Sequence, residues 1–234
     1  MKSGDWILIN FVGKVKATGE VFDLTKEKDA KKCGLHEQKK KYGPVLTILG
    51  GGMIIQGVER ELLEMKPGET REFDVSPADA LGQRRPELIK IFSIAKFMRQ
   101  KITPFPGMVL NIDGRNARVQ SVAGGRVRVD FNHPLAGKEL NYAVEIVAEI
   151  KDTKKMVESL LEYYGVAGKV NVTGKKAGIL PDKDVNPMIK KLIEETLLKW
   201  CPGVDSVNFK LKPEKPGGEE NGGEKNPAGK GLNI

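Results

Sequence analysis

The stretch from Leu49 to Glu59 reads Leu-Gly-Gly-Gly-Met-Ile-Ile-Gln-Gly-Val-Glu. An apolar run over Val45 to Leu49 predicts a strand, and three consecutive glycines must end it, because glycine has no side chain to pack and loses the most backbone freedom on ordering. The chain restarts at once with Ile54 and Ile55. Gln56 to Met65 then carries Val58, Leu62 and Met65 at helical spacing and is stopped by Lys66-Pro67-Gly68. The glycines do not make a phosphate site. Gly52 and Gly57 have the spacing of a phosphate loop, but Val58 and Glu59 stand where lysine and a hydroxyl residue are needed, and Glu59 would repel phosphate. The dinucleotide pattern fails as well, since Ile55 occupies its third glycine position. The turn therefore serves geometry: it delivers two isoleucines to the start of a short helix.

Around this feature the chain alternates strands and turns. Trp6 to Val15 mixes apolar and polar residues at strand period, and Ala17-Thr18-Gly19-Glu20 turns it into a second strand at Val21-Phe22-Asp23. Residues 26–43 are polar and lysine-rich and predict a long loop. Thr70 to Val75 alternates again. From Glu87 the texture changes. Ser93 is placed to cap a short helix over Ile94 to Gln100. Met108–Ile112, Ala117–Val122 and Arg126–Phe131 predict three strands joined by the tight-turn pairs Asp113-Gly114 and Gly124-Gly125. Leu140 to Ile150 predicts a long strand with Tyr142, Val144, Ile146 and Ala148 on one side. Beyond it, Met156 to Tyr164 predicts a helix stopped by Gly165. Lys169–Thr173 and Ala177–Leu180 predict a hairpin. Asn186 and Pro187 open a second helix with an apolar face of Met188, Ile189, Leu192, Ile193, Leu197 and Trp200. Val207, Phe209 and Leu211 predict a last strand. From Pro213 onward almost nothing is apolar, which predicts a disordered tail.

Several function classes are excluded by missing parts. No apolar run approaches the roughly 20 residues that span a bilayer, and the N-terminus reads as a first strand rather than a signal peptide. Cys33 and Cys201 are remote in sequence, which fits a reducing, cytoplasmic setting. Cys33-Gly34-Leu35-His36 has a spacing metals accept, but the other cysteine and histidine lie far away, so neither a metal nor a cofactor is expected. Two histidines, with no serine in a G-x-S-x-G turn, leave no nucleophile–base pair. A net charge of +8 permits contact with polyanions. The lysines are scattered, however, and the dense run Lys39-Lys40-Lys41 sits in a polar loop, so nucleic-acid binding ranks third among the readings.

What remains is a set of apolar and aromatic residues in a fixed order. Phe11-x-Gly13, Val21-Phe22-Asp23, Leu49-Gly50, Ile54-Ile55-x-Gly57, Met65-Lys66-Pro67-Gly68-Glu69 and Pro77-x-Asp79-Ala80-x-Gly82 together resemble the FKBP-type peptidyl-prolyl cis–trans isomerases. The block between Gly82 and Asn132-His133-x-Leu135-Ala136-Gly137 resembles the insert-in-flap domain of SlyD-type members. Region 153–212 resembles the extra C-terminal domain of the long archaeal members. The resemblance implies an α+β fold: an antiparallel half-barrel sheet wrapping a short helix (residues 1–84 and 133–152), a small β-rich insert (85–132), a C-terminal α/β domain (153–212) and a tail (213–234).

It also implies an activity and its residues. The expected function is isomerisation of Xaa-Pro bonds in unfolded or partly folded polypeptides, combined with chaperone activity and needing neither covalent chemistry nor a metal. Phe11, Phe22, Val45, Ile54, Ile55, Val58 and Tyr142 would wall a proline pocket. The Ile55 N–H would bind a substrate carbonyl, and Asp23 would sit beside the twisting amide. Members usually have tyrosine where Phe11 stands, tryptophan or leucine where Val58 stands, and an aromatic residue, often a tyrosine whose hydroxyl donates to substrate, where Leu81 stands. Weak catalysis on short peptides is therefore expected, with a gain on Leu81→Tyr. In the insert, Ile91, Phe92, Ile94, Phe97, Met98 and Val109 are the candidates for holding unfolded chain. The C-terminal region is expected to form a homodimer, since its apolar helix faces need a partner. The alternative reading is a holdase with little or no turnover.

Overall fold

The computed structural model describes residues 1–210; the predicted tail and Leu211 lie outside them. In chain order the elements are β1 (Trp6–Val15), β2 (Val21–Leu24), α1 (Glu27–Lys32), β3 (Val45–Ile48), α2 (Gln56–Glu64), β4 (Thr70–Val75), β5 (Ile89–Ser93), α3 (Ile94–Arg99) and β6 (Val109–Ile112). There follow β7 (Arg115–Ala123), β8 (Arg126–Asp130), β9 (Leu140–Ile150), α4 (Thr153–Tyr163), β10 (Gly168–Thr173), β11 (Lys176–Pro181), α5 (Pro187–Trp200) and β12 (Ser206–Phe209). The chain divides into two compact units, residues 1–80 with 138–210, and residues 81–137. None of the described helices is long and apolar enough to cross a membrane.

The first unit is built on a mixed-length antiparallel sheet ordered β2-β1-β9-β4, with β3 also pairing β1. β1 and β9 pair along their whole length, except that Leu8 opposes Ala148 while Ile9 opposes Ile146, which leaves Val147 as an extra residue on β9. Such a bulge moves side chains from one face to the other. Strict alternation groups Tyr142, Val144, Ile146 and Ala148; the bulge instead splits them. Ala148 and Ile150 share a face with Trp6 and Leu8, while Ile146, Val144 and Tyr142 oppose Ile9, Phe11 and Gly13 on the other.

Each face has its own cover. On the first, Trp6, Leu46, Ile48 and Ile150 join Val157, Leu160 and Leu161 of α4, Ala177 and Ile179 of β11, and Ile193 and Leu197 of α5 in one continuous core. The Trp6 indole N–H donates to the Trp200 carbonyl at 2.8 Å. The inward faces of the C-terminal helices thus find their partner within the chain. On the second face, Gly57 at the start of α2 lies directly against Val75 of β4, and Val58, Leu62 and Met65 are fully buried. The C-terminal sheet is β10-β11-β12, with β10 and β11 forming the expected hairpin and β12 adding in parallel. Asn186 caps α5 by accepting the Met188 N–H at 2.8 Å, and Asp152 caps α4.

The segment predicted as a loop over 26–43 contains α1. Its only buried residue is Ala30, and a Glu27–Lys31 ion pair one turn apart supports it. Without an apolar stripe, helical periodicity had nothing to register.

The second unit is a four-stranded antiparallel sheet, β5-β8-β7-β6, with α3 beside it. Phe97, Leu110, Ile112, Ala117, Val119, Val127 and Val129 form its core, with Phe92, Ile94 and Phe131 packed against them. Ser93 caps α3 through Ala95. β5 lies where the sequence pattern predicts no strand; at five residues it is short, and its last residue is the capping serine of α3. Asp130 is a buried carboxylate in this unit. It accepts from the Asn132 backbone and amide, from Gln120 and from Arg84. Burial pushes its carboxyl up, but the Asn132 hydrogen bonds and the Arg84 charge outweigh that and hold it below the usual range.

Candidate active site

The glycine turn is held by backbone and by one acid. Gly51 N–H donates to the Ile48 carbonyl at 2.9 Å and Gly50 N–H to Glu59 Oε1 at 2.7 Å. Gly50 and Gly52 have φ of +83° and +67°, conformations that glycine takes without strain. Glu59, which argues against phosphate in the sequence, ties α2 back to the turn. Trp200 packs 3.3 Å from where a Cβ on Gly50 would lie. A cavity of about 200 Å³ beside the turn is walled by Met53, Tyr163, Tyr164 and Trp200, among others.

Beyond the turn, Ile55 occupies the residue before α2 in an extended conformation, with φ −61° and ψ 145°. Its carbonyl accepts the Val58 and Glu59 N–H groups, each at 3.0 Å, and the Gly57 N–H is used by the Asp79 carbonyl at 2.8 Å. The Ile55 N–H has no acceptor among the described residues. It is a free donor at a helix N-terminus, where the peptide dipoles favour a carbonyl oxygen. Gly57 admits no larger residue, because a Cβ there would collide with Val75.

Three aromatic rings converge on the sheet face that α2 covers. Phe11 and Tyr142 have centroids 5.9 Å apart, tilted by 49°, and Phe22 meets Tyr142 edge-on at 5.8 Å. Two features make this approach possible. The β1–β2 register pairs Gly13 with Asp23 but Lys14 with Val21, so Phe22 is bulged out of the ladder. Gly13 then leaves room: a Cβ on it would stand 2.6 Å from the Phe22 ring and 3.2 Å from the Tyr142 ring. Gly13 is thus a site residue in its own right, and the Phe-x-Gly pattern is its signal in the sequence. Buried Thr25 fixes the other side, accepting the Phe11 N–H at 3.0 Å and donating to Asn10 Oδ1 at 3.0 Å.

The Tyr142 hydroxyl has no protein partner among the described residues. Burial, and then the charge of Asp23, pushes it up to about 12, so it stays a protonated donor at neutral pH. Asp23 itself is half exposed, accepting from the Leu24 N–H at 2.8 Å and Lys40 Nζ at 3.1 Å.

Other predicted residues take distinct places. Ile54 is half-buried beside Ile55, Val58 is fully buried, and Val45 is exposed at the start of β3. Leu81 belongs to the second unit and is exposed. The insert candidates divide. Phe97 is sealed in the core, Phe92 and Ile94 pack on it, and Ile91, Met98 and Val109 are open to solvent. Phe105, between Pro104 and Pro106, is also exposed. Cys33 and Cys201 are both free. The His36 ring stacks on Tyr42, and no cluster of three or more metal-ligating residues occurs among the described residues.

Comparison with known proteins agrees with this geometry. Residues 1–98 match the model of the FKBP-type peptidyl-prolyl cis–trans isomerase family, and residues 90–135 match a model described as "FKBP26, IF domain". The chain is 30% identical over 146 residues to the short-type peptidyl-prolyl cis–trans isomerase of Methanocaldococcus jannaschii, covering 62% of this chain and 92% of that protein. It is 32% identical over 108 residues to the FKBP-type 16 kDa isomerase of Escherichia coli K12, covering 44% and 72%. A SlyD isomerase of Treponema pallidum is 30% identical over 123 residues, covering 51% and 69%. With Phe22 and Tyr142 meeting over Gly13 and Phe11 beside Tyr142, an unused N–H at Ile55, and these relatives, the chain belongs to the FKBP-type peptidyl-prolyl cis–trans isomerases.

Proposed function

We propose that the first unit isomerises Xaa-Pro bonds in unfolded or partly folded polypeptides, and that the insert holds those chains as a chaperone module. The observation that carries this is the pairing of the aromatic cradle, Phe11, Phe22 and Tyr142, with the free N–H of Ile55. Rotation about an Xaa-Pro bond breaks amide resonance, at a barrier of roughly 18–20 kcal/mol. The planar amide is more polar than the twisted one, so an apolar cradle disfavours the ground state relative to the twisted state. The Ile55 N–H anchors a substrate carbonyl, and Asp23 lies where the changed amide dipole is favoured. A millionfold acceleration needs about 8 kcal/mol, with no proton transfer and no covalent step.

The exposed apolar residues Ile91, Met98 and Val109 support the chain-holding role of the insert; methionine suits surfaces that adapt to varied partners. A homodimer through residues 153–212 would use the outer flank of α5, where Met188, Leu192 and Leu198 are exposed, since the inner flank is already covered. A monomeric mass by sedimentation would refute it.

The deciding experiment is cis–trans exchange of an Ala-Leu-Pro-Phe peptide by NMR, with and without the protein. Clear acceleration, lost in Asp23→Ala, supports the isomerase. No acceleration with retained binding of an unfolded protein moves the chain to the holdase reading, which Leu81 in the usual aromatic position favours.

A further inference from the structure

Charge is spread unevenly along this chain. Residues 81–137 hold ten Lys and Arg against three Asp and Glu, an excess of seven, whereas the excess of the whole chain is eight. The insert unit therefore carries nearly all the net positive charge of the protein. The strand register shows where part of it lies. Val127 and Val129 of β8 face the core of the unit, which sends Arg126 and Arg128 to the opposite face. Arg128 is paired with Ile91 of β5, and Arg118 of β7 is paired with both Asp130 of β8 and Val109 of β6, so these residues share that outer face.

The face is open and unsatisfied. Ile91 and Val109 are 64% and 59% exposed. Arg118, Arg126 and Arg128 are exposed and have no ion-pair partner among the described residues; the ion pairs of this unit are Arg84–Asp130 and Arg85–Glu87. Asp130 is the acid on this side, and it is buried and neutralised locally by Arg84.

We propose that this outer face of the insert sheet docks extended acidic polypeptide, namely unfolded segments in which Asp or Glu alternates with aliphatic residues. The proposal rests on the reading of the insert as the chain-holding unit and names its substrate class. Guanidinium groups pair with carboxylates through two parallel hydrogen bonds, and Ile91 and Val109 offer apolar contact beside them. Alternate residues of an extended chain are about 6.6 Å apart, the same repeat that separates Arg126 from Arg128 along β8. Single-stranded nucleic acid fits less well. Such sites combine basic grooves with aromatic stacking platforms; Phe92 and Phe131 pack on the core side, with Lys90 and Arg115 over Phe131, and the exposed ring of the unit, Phe105, lies in the loop before β6 rather than on a strand of this face.

The test is fluorescence anisotropy with the full chain and three labelled probes: an unstructured peptide alternating Asp with Leu, the same peptide with Ser for Asp, and an oligouridylate of equal charge. At low salt the Asp peptide should bind about tenfold more tightly than the Ser peptide, and the gap should shrink as salt rises. The triple variant Arg118→Gln, Arg126→Gln, Arg128→Gln should abolish the gap while leaving Ser-peptide affinity and short-peptide isomerisation unchanged. Arg128→Gln alone should remove about two- to threefold of it. Equal binding of both peptides overturns the proposal and leaves the chain-holding reading standing. Failure of both peptides to bind overturns the two together. Tighter binding of the oligouridylate than of the Asp peptide, lost in the triple variant, overturns the proposal in favour of nucleic acid.

Discussion

The two antiparallel sheets of this protein are finished in opposite ways. The β2-β1-β9-β4 sheet is covered on both faces, by α4, α5 and β11 on one and by α2 on the other. The β5-β8-β7-β6 sheet has a core on one face and exposes arginines and aliphatic residues on the other. Cover on both faces restricts the side chains between them, as the cradle requires: Phe22 and Tyr142 approach Gly13 so closely that a methyl group there has no room. An open face gives up that fixity and remains available to partners. The charge follows the same division, since outside residues 81–137 the chain has twenty-nine Lys and Arg against twenty-eight Asp and Glu. Precision and availability are separate demands, and they fall on separate sheets.

The largest expected effect tests whether the C-terminal helices belong to the catalytic body. Ile193→Ala opens a cavity in the core shared with Trp6 and Ile48, and should cost about 2–5 kcal/mol. The thermal unfolding of the first unit should fall accordingly, while amide exchange in residues 81–137 stays as it was. A loss confined to α4 and α5 would break the comparison. Next comes the cradle. Gly13→Ala drives a methyl group into the Phe22 ring, and overpacking of this kind costs about 1–3 kcal/mol. We expect short-peptide kcat/KM to drop by about tenfold or more, with unchanged binding of unfolded protein by the insert. An equal drop in both would erase the division between the sheets.

Asp130→Asn sharpens the other side. The substitution removes the charged partner of Arg84 and should destabilise the insert by about 1–3 kcal/mol at neutral pH. Because the folded carboxyl is held below its ordinary range, its contribution is full above that range and is lost as pH falls through the depressed folded value. In urea unfolding followed at insert residues, the acid limb of stability should flatten in Asp130→Asn and persist in wild type. The smallest effect is Leu81→Tyr, which should raise short-peptide turnover by about two- to fivefold, the scale of one added neutral hydrogen bond. No gain would mean that the Tyr142 hydroxyl and the Ile55 N–H already supply the donors.

Much was legible in the sequence. The glycine turn, the short helix after it, the Ser93 and Asn186 caps, the β10–β11 hairpin and the paired turns of the insert all depend on residues within a few positions of one another. Local rules of period, capping and turn chemistry reach that far. The tertiary structure decided what depends on pairing between distant segments. The extra residue at Val147 reassigns Ala148 and Ile150 to the opposite face, and the bulge at Phe22 swings its ring over Gly13. Neither shows in an alternating pattern, because a one-residue slip in register inverts every side chain beyond it and leaves the sequence unchanged. The partner of the apolar C-terminal helix faces was likewise undetermined: an amphipathic stripe states that something must cover it, not what. Ile91, Arg128 and Arg118 lie far apart in the chain, and only the ladder of hydrogen bonds between β5, β8 and β7 puts them on one surface.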